Sequence, residues 1–150
     1  MANAYNAPDV ENFAYDFSRA EINFGGKVYT AISNISHNQA LEEGVIRGTK
    51  ARVLKRTRGA LGLGEGSVDF SDFEEAVRMV EDFGDGWGEK IFTATIVYTA
   101  PTKPSITYKL IGCRWLDMEI EHEEGAEGLP ATLPFSFMER EINGKKMLLE

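Results

Sequence analysis

Apolar and polar residues alternate with a period of two along most of the chain, which predicts a mainly β fold. The alternation over 19–24 stops at Gly25 and Gly26 and resumes over 27–37. Because paired glycines supply the positive φ angles of a tight turn, these segments predict a β-hairpin. Further strands are predicted over 51–54, 67–70, 91–99, 105–123 and 131–142, with a bend near Gly112 and a closing turn at Asn143–Gly144.

The alternation also predicts which side chains face the core. The inward set comprises Phe92, Ala94, Ile96, Tyr98, Leu116, Met118, Ile120, Leu133, Phe135 and Phe137. The outer face of the strand 91–99 is threonine-rich, and after Trp115 the outer face carries Asp117, Glu119, Glu121 and Glu123. Carboxylates in an exposed row share similar surroundings, so a solvated or partner-facing surface is favoured over a catalytic acid–base pair. This acidic stripe is a candidate surface for a partner.

One segment departs from the two-residue period and predicts a helix over 71–83. Its apolar residues recur at steps of three and four, which forms a stripe that must pack on a sheet: Phe73, Ala76, Val77, Val80 and Phe83. Ser71 and Glu74 have the spacing of a capping box, and Gly84 ends the segment. Together these elements predict a β-sandwich or partly closed β-barrel of about six to seven strands with one flanking α-helix.

A chain of 150 residues predicts a single domain. We divide it into an N-terminal arm, 1–17, and a β domain, 18–150, that contains a long loop, 40–66. The arm carries four aromatic residues, Tyr5, Phe13, Tyr15 and Phe17. Exposed rings are unfavourable in water, so the arm is expected either to dock on a neighbouring subunit or to pack locally on its own domain.

The long loop is the most basic part of an acidic chain. Its six cationic residues are Arg47, Lys50, Arg52, Lys55, Arg56 and Arg58. The whole chain has a formal net charge of -8, and setting these six aside leaves ten basic and 24 acidic side chains, a charge of -14. A basic loop on a strongly acidic domain predicts an electrostatic partner.

Three partners fit the loop. Clustered Lys and Arg bind nucleic acid by releasing counterions, although the acidic remainder would repel the same polyanion. The acidic faces of neighbouring copies satisfy both sets of charges. Pairing of the loop with its own domain is the third alternative.

The sequence offers little support for an enzyme. Glycines 59, 62, 64 and 66 lack the strand and helix that build a phosphate loop, and flexible or tightly turning backbone is their expected purpose. His37 and His122 form no zinc pattern, and Cys113 lies in an apolar run typical of a buried thiol. We expect no catalytic residues, cofactor or metal. With neither a signal peptide nor a bilayer-spanning run in view, a cytoplasmic setting and no membrane partner are expected.

The order of features resembles the tail tube proteins of long-tailed bacteriophages, especially those of contractile tails, and their type VI secretion relatives. The resemblance rests on GGKVY in the early hairpin, EEGVIRGTKARVLKRTRG in the loop, SVDFSDFEEAVRMVEDFG over the strand and helix, and the closing LIGCRW, HEEGAEGLP and EREINGKK. It covers roughly residues 18–146.

This resemblance implies a structural virion protein that forms six-membered rings stacked into a tube. The channel would pass DNA during genome ejection without binding it specifically. The acidic stripe from Asp117 to Glu123 would either line this channel or accept the loop of the next ring. The loop and termini would reach between subunits and rings, and other partners would be sheath, tape-measure, baseplate and terminator proteins. The resemblance places the protein in the tail, assembled in the host cytoplasm, and leaves a terminator, baseplate or type VI tube role open.

Overall fold

The computed structural model describes residues 14–101, 103–120, 124 and 129–148, and within them the chain is mainly β with one α-helix. Short 3-10 turns span Phe17–Arg19 and Thr49–Ala51. In chain order the strands and helix are β1 Glu21–Phe24, β2 Lys27–Tyr29, β3 Ile32–Asn38, β4 Leu41–Glu42, β5 Val45–Arg47, β6 Val53–Arg56, β7 Ala60–Leu61, β8 Gly64–Phe70, α1 Phe73–Phe83, β9 Phe92–Ala100, β10 Lys103–Trp115, β11 Glu119–Ile120, β12 Ala131–Phe137, β13 Glu139–Ile142 and β14 Lys145–Lys146.

Ten strands form one antiparallel sheet, and seven of them follow the order β2-β1-β9-β10-β12-β8-β3. The other three pair beside this path, β11 with β12, β13 with β10 and β14 with β13. β10 connects its two halves, because its earlier residues pair with β9 and β13 whereas Arg114 and Trp115 pair with β12. The change of partner follows Gly112, whose φ of +74° bends the strand at the predicted position. The two halves fold around a common core, and among the described strands β2 and β3 are the ends of an open sheet. The predicted β-rich architecture is therefore confirmed.

Aromatic rings fill the centre of the core around Trp115. Its ring centroid lies 4.9 Å from that of Phe92, 5.2 Å from Phe24 and 5.6 Å from Phe135. The inward faces predicted for β9 and β12 are confirmed, since Phe92, Ala94, Ile96, Leu133, Phe135 and Phe137 are all buried. Cys113 is also buried as predicted, and desolvation raises the pKa of its thiol to about 11.

The prediction that Leu116 and Ile120 point inward is wrong, because they are 58% and 41% exposed. β10 ends at Trp115, and the chain then leaves the regular pleat before resuming as the two-residue β11. In between, Leu116 N–H donates to the Pro134 carbonyl, and the Asp117 carboxylate accepts from Met118 N–H. A period of two carries information only where the backbone stays extended, so the alternation failed here.

The helix begins at Phe73 rather than at the predicted residue 71, and its cap lies one residue later than the sequence indicated. Asp72, rather than Ser71, caps it by accepting from Glu74 N–H, while Ser71 Oγ donates to the Ala31 carbonyl. The predicted capping box at Ser71 is therefore wrong. Ala76 is buried as expected, together with Met79, and Gly84 ends the helix as predicted.

Gly64 and Gly66 lie inside β8, directly opposite Phe137 and Phe135 of β12. A Cβ atom on Gly64 would lie 2.3 Å from the Phe137 ring, and one on Gly66 would lie 2.5 Å from the Ser36 carbonyl oxygen. Both glycines therefore make room for the core aromatics and the adjacent backbone. The expectation of flexible or turning backbone is wrong for these two positions, whereas Gly59 has a positive φ of +87°.

Candidate assembly surface

Residues 41–61 form a projecting β-hairpin, which we call the basic arm. Its ladders pair β4 with β7 and β5 with β6, and Thr57 N–H donates to the Gly44 carbonyl between them. From residue 43 to residue 58 every side chain is exposed, with Gly48 of intermediate exposure. Regular strand pairing thus occupies much of the segment predicted as a long loop.

The tip of the basic arm is a turn closed by its own backbone. Gly48 N–H donates to the Arg52 carbonyl, and the Arg47 guanidinium donates to the Ala51 carbonyl at 3.0 Å. Lys50 and Ala51 both have positive φ angles, of 61° and 58°. Such backbone is unfavourable for residues other than glycine, so these contacts hold a strained turn at the tip.

Apolar side chains are exposed along the same arm. Val45, Ile46, Val53 and Leu54 are between 42% and 61% exposed. Sequence reasoning identified the cations but missed this apolar component, although the Val-Ile and Val-Leu pairs were visible signals. A mixed apolar and cationic projection is typical of a surface that another molecule covers.

The six predicted cations all lie on the arm and are exposed: Arg47, Lys50, Arg52, Lys55, Arg56 and Arg58. Within the part of the chain that is described, their ion pairing is limited to Arg56 with Glu43, at 3.9 Å, and Glu43 is itself an arm residue. No described acidic residue outside the basic arm forms an ion pair with these six cations within one chain.

The acidic stripe is only partly within the described residues. Asp117 lies in the connection after β10 and Glu119 lies in β11, and both are exposed. Glu121 and Glu123 lie outside the described residues. Among the described residues, no ion pair joins the arm to Asp117 or Glu119.

Two of the four N-terminal aromatics, Tyr5 and Phe13, lie outside the described residues. Tyr15 OH donates to the Pro104 carbonyl at 2.5 Å, and the Lys103 ammonium lies 5.5 Å from the Tyr15 ring centroid. Phe17 lies in the first 3-10 turn and lines a groove of about 420 Å³ beside β1 and β2. These contacts show that Tyr15 and Phe17, at the end of the N-terminal arm, pack locally on their own chain. The boundary between the N-terminal arm and the β domain at residue 17 stays a prediction.

A second basic feature, which the sequence analysis did not single out, lies beside the root of the arm. This basic pocket has a volume of about 340 Å³ and is lined by Gln39, Arg140, Ile142, Lys145, Lys146 and Met147. The Gln39 amide donates to the carbonyls of Gly62 and Met138. The sequence feature that could have indicated this pocket is the cluster of cations on both sides of the Asn143–Gly144 turn.

Next to this pocket, Arg140 donates to His37 Nδ1 at 3.0 Å, and the Tyr108 ring packs against the imidazole at 5.0 Å. A guanidinium can only donate, so Nδ1 accepts and the bound imidazole is neutral. Burial, and secondly the charge of Arg140, lower the pKa of His37 below its usual 6.5. The contact joins β3 to β13.

Replacing His37 with Gln should reduce the loss of stability on acidification. The pKa of His37 is lower in the folded state than in the unfolded state. The stabilisation that neutral His37 contributes to the free energy of unfolding is therefore fully present above about pH 6.5, and it is lost as the pH falls through the lower folded-state pKa. Urea denaturation at pH 7.5 and 5.5 measures the free energy of unfolding, and the difference between the two pH values should be smaller for His37→Gln. An equal difference in both proteins would contradict this role, because a Gln carbonyl keeps an acceptor for Arg140.

The described residues contain no group of three or more His, Cys, Asp or Glu side chains arranged to hold a metal ion. The α-helix in the described part of the chain has 11 residues, and no helix there is long and apolar enough to cross a bilayer.

No family model matches the sequence, and no curated protein matches it. Solved structures do. Hcp1 from Flavobacterium johnsoniae is 15% identical, with a TM-score of 0.54 over 85% of this chain and 97% of Hcp1. A chain of the extended PVC sheath/tube terminator, from an extracellular contractile injection system, is 8% identical with a TM-score of 0.66 over 87% and 97%. The chain has the fold of injection-system tube proteins.

The tube terminating cap of the anti-feeding prophage shares this tube-protein fold, at 9% identity and a TM-score of 0.66 over 93% of this chain and 98% of the cap chain. The structural match therefore extends over nearly the whole of each chain. The predicted resemblance in fold is therefore confirmed.

Proposed function

We propose that this protein is a structural, non-enzymatic subunit of the tube of a contractile tail or injection system, which assembles from many copies of itself. The observation that carries the proposal is the tube-protein fold, matched over 85% to 93% of the chain. In finer detail, we propose hexameric rings that stack around a channel in a phage tail and release the genome through it.

The exposed basic arm supports self-assembly. Its apolar side chains and unmatched cations need a partner, and the remainder of another copy carries a charge of -14. A homo-oligomer supplies both components from one sequence. The open ends of the sheet, β2 and β3, would also be covered if sheets of adjacent copies joined within a ring.

A channel wall suits the outer face of β1 and β9. This face forms a shallow groove of about 560 Å³, whose lining includes Glu21, Asn23, Thr93, Thr95 and Val97. Short polar side chains offer few anchors for phosphate, and the lining contains no Lys or Arg. DNA would pass such a wall without specific binding. Sheath, tape-measure, baseplate and terminator proteins would be the further partners of the assembled tube.

A terminator or cap ring is the second candidate. The PVC terminator and the anti-feeding prophage cap each give a TM-score of 0.66, against 0.54 for Hcp1. A terminator would form a ring that stops growth, whereas a tube subunit would stack without limit.

Negative-stain electron microscopy of the full chain over a range of concentrations tests the proposal. Long tubes of stacked rings are expected for a tube subunit, and single or paired rings for a terminator. A protein that stays monomeric under every condition, with or without a tail initiator complex, would contradict both.

DNA titration tests the alternative that the basic arm binds nucleic acid. The proposed conduit should show almost no binding to duplex or single-stranded DNA at low salt. Tight binding that weakens steeply with added salt would instead support a nucleic-acid-binding module.

A further inference from the structure

The basic pocket beside the arm has the chemistry of a receptor for an acidic, partly apolar segment. Lys145 and Lys146 of β14 are among its lining residues, and the Lys146 ammonium lies 3.5 Å from a Glu139 carboxylate oxygen. The floor includes Ile142 and Met147, which are 40% and 55% exposed. Cationic and apolar groups are thus presented together on a two-stranded hairpin tied to the main sheet through β13.

A complementary surface lies on the same chain at residues 116–120, which we call the acidic ridge. Asp117 and Glu119 are exposed, and Leu116 and Ile120, which flank them in the chain, expose apolar side chains. The ridge therefore alternates acidic and apolar groups, as the pocket combines basic and apolar ones. The strand pattern did not predict that Leu116 and Ile120 are exposed. Their exposure is explained if another molecule covers these apolar side chains.

The ridge and the pocket lie at opposite ends of β12. Glu119 is paired with Thr132 near the start of β12, whereas Met138, whose carbonyl accepts from Gln39 in the pocket wall, follows the last residue of that strand. Six residues of extended chain separate Thr132 from Met138, a distance of about 20 Å at roughly 3.3 Å per residue. At that separation the Glu119 carboxylate does not reach the pocket of its own chain, so the complementarity suits a contact between copies.

We propose that the acidic ridge of one copy docks into the basic pocket of the next, in a head-to-tail contact. Asp117 and Glu119 pair with Lys145 and the adjacent cations, while Leu116 and Ile120 cover Ile142 and Met147. Such a heterologous contact does not close into a two-fold dimer. It repeats from copy to copy and builds a ring or a filament. The inference rests on the proposed tube function and deepens it by assigning the receptor of the acidic stripe to the pocket rather than to the basic arm.

Two double variants with opposite charge changes test the contact. Lys145→Glu with Lys146→Glu makes both surfaces acidic, and Asp117→Lys with Glu119→Lys makes both basic. Like charges facing each other are strongly unfavourable, so each variant alone should need a roughly tenfold or greater concentration to assemble. An equimolar mixture should assemble like the unmodified protein, because each altered surface then faces the oppositely altered one. Sedimentation and electron microscopy measure both results.

A matched control places the same charge change elsewhere. Glu81→Lys with Glu89→Lys alters two exposed carboxylates, one on α1 and one in the turn after it, and should leave assembly unchanged. This control distinguishes an effect of charge at the acidic ridge from an effect of the net charge of the whole chain. Circular dichroism and urea denaturation of every variant confirm that the monomer is folded.

The outcomes separate this inference from the proposed function. If the unmodified protein forms tubes and the double variants form them equally well, or the mixture does not recover assembly, the docking is wrong and the tube proposal stands. If the ridge and pocket support linear oligomers without rings or tubes, the docking stands and the tube proposal is wrong. A chain that is monomeric at every concentration overturns both.

Discussion

Reversing Arg52, Lys55 and Arg56 to glutamate is expected to abolish tube formation while the monomer stays folded. These side chains are exposed on the basic arm, and the described carboxylate within reach of them is Glu43, beside Arg56. Exposed ion pairs contribute about 0–1 kcal/mol each, so the free energy of unfolding should change little. Assembly should change greatly, because three cations become three anions facing an acidic neighbour. Electron microscopy and sedimentation measure assembly, and urea denaturation measures folding.

The control for this prediction keeps the charges and exchanges the residue types. Arg52→Lys, Lys55→Arg and Arg56→Lys together should assemble at close to the normal concentration, since the arm needs positive charge more than a particular side chain. Tubes of normal length from the glutamate variant would remove the arm's charge from the assembly mechanism. Failure of both variants would point instead to specific hydrogen bonds.

Replacing Gly66 with alanine is expected to destabilise the fold strongly. The new Cβ would lie 2.5 Å from the Ser36 carbonyl oxygen and 2.6 Å from the Phe135 ring. Backbone on one side and a core aromatic on the other leave no flexible group that can move away. Overpacking of this kind costs roughly 1–3 kcal/mol, and we expect the upper end or beyond because a strand must shift. Chemical denaturation of the monomer measures the loss.

Gly62 provides the matched comparison, four residues before Gly66 in the same glycine series. A Cβ there would be no closer than 3.5 Å to its neighbours, which is ordinary contact. Gly62→Ala should change the free energy of unfolding by no more than about 1 kcal/mol, with a tendency to stabilise through the unfolded chain. Equal effects of the two substitutions would contradict the packing role assigned to Gly66.

The elements that the sequence predicted well are those whose signal is local. Gly25 and Gly26 both have positive φ angles in the observed turn, as a tight hairpin requires. The alternation in β9 and β12 predicted their buried faces because each strand has one side on the core. The helix was found from its apolar spacing, and its end was given by Gly84.

The misses have a shared physical cause, since they depend on residues distant in the chain. Ser71 and Asp72 are both good capping residues, and the contact of Ser71 with Ala31 decides between them. Gly66 is required by Phe135, on a strand more than 60 residues later. The paired strands of the basic arm expose both faces to solvent, so the sequence indicated a strand only over 51–54 and missed β5, its partner.

The candidate site was predicted in its charges but not in its geometry. The cations of the arm were evident from composition, whereas the basic pocket forms only when Gln39 of one sheet end meets the β13–β14 hairpin. Sequence spacing could not bring those segments together. The exposure of Leu116 likewise depends on where β10 ends, which the sequence pattern did not reveal.

The Gln39 side chain has a mechanical consequence. Its amide nitrogen donates to the Gly62 carbonyl at the base of the arm and to the Met138 carbonyl before β13, and the residue is buried. A neighbouring copy that pulls on the arm would therefore load this amide, and the strain would pass directly into the hairpin that carries the pocket. A load on the arm would therefore be transmitted to the pocket.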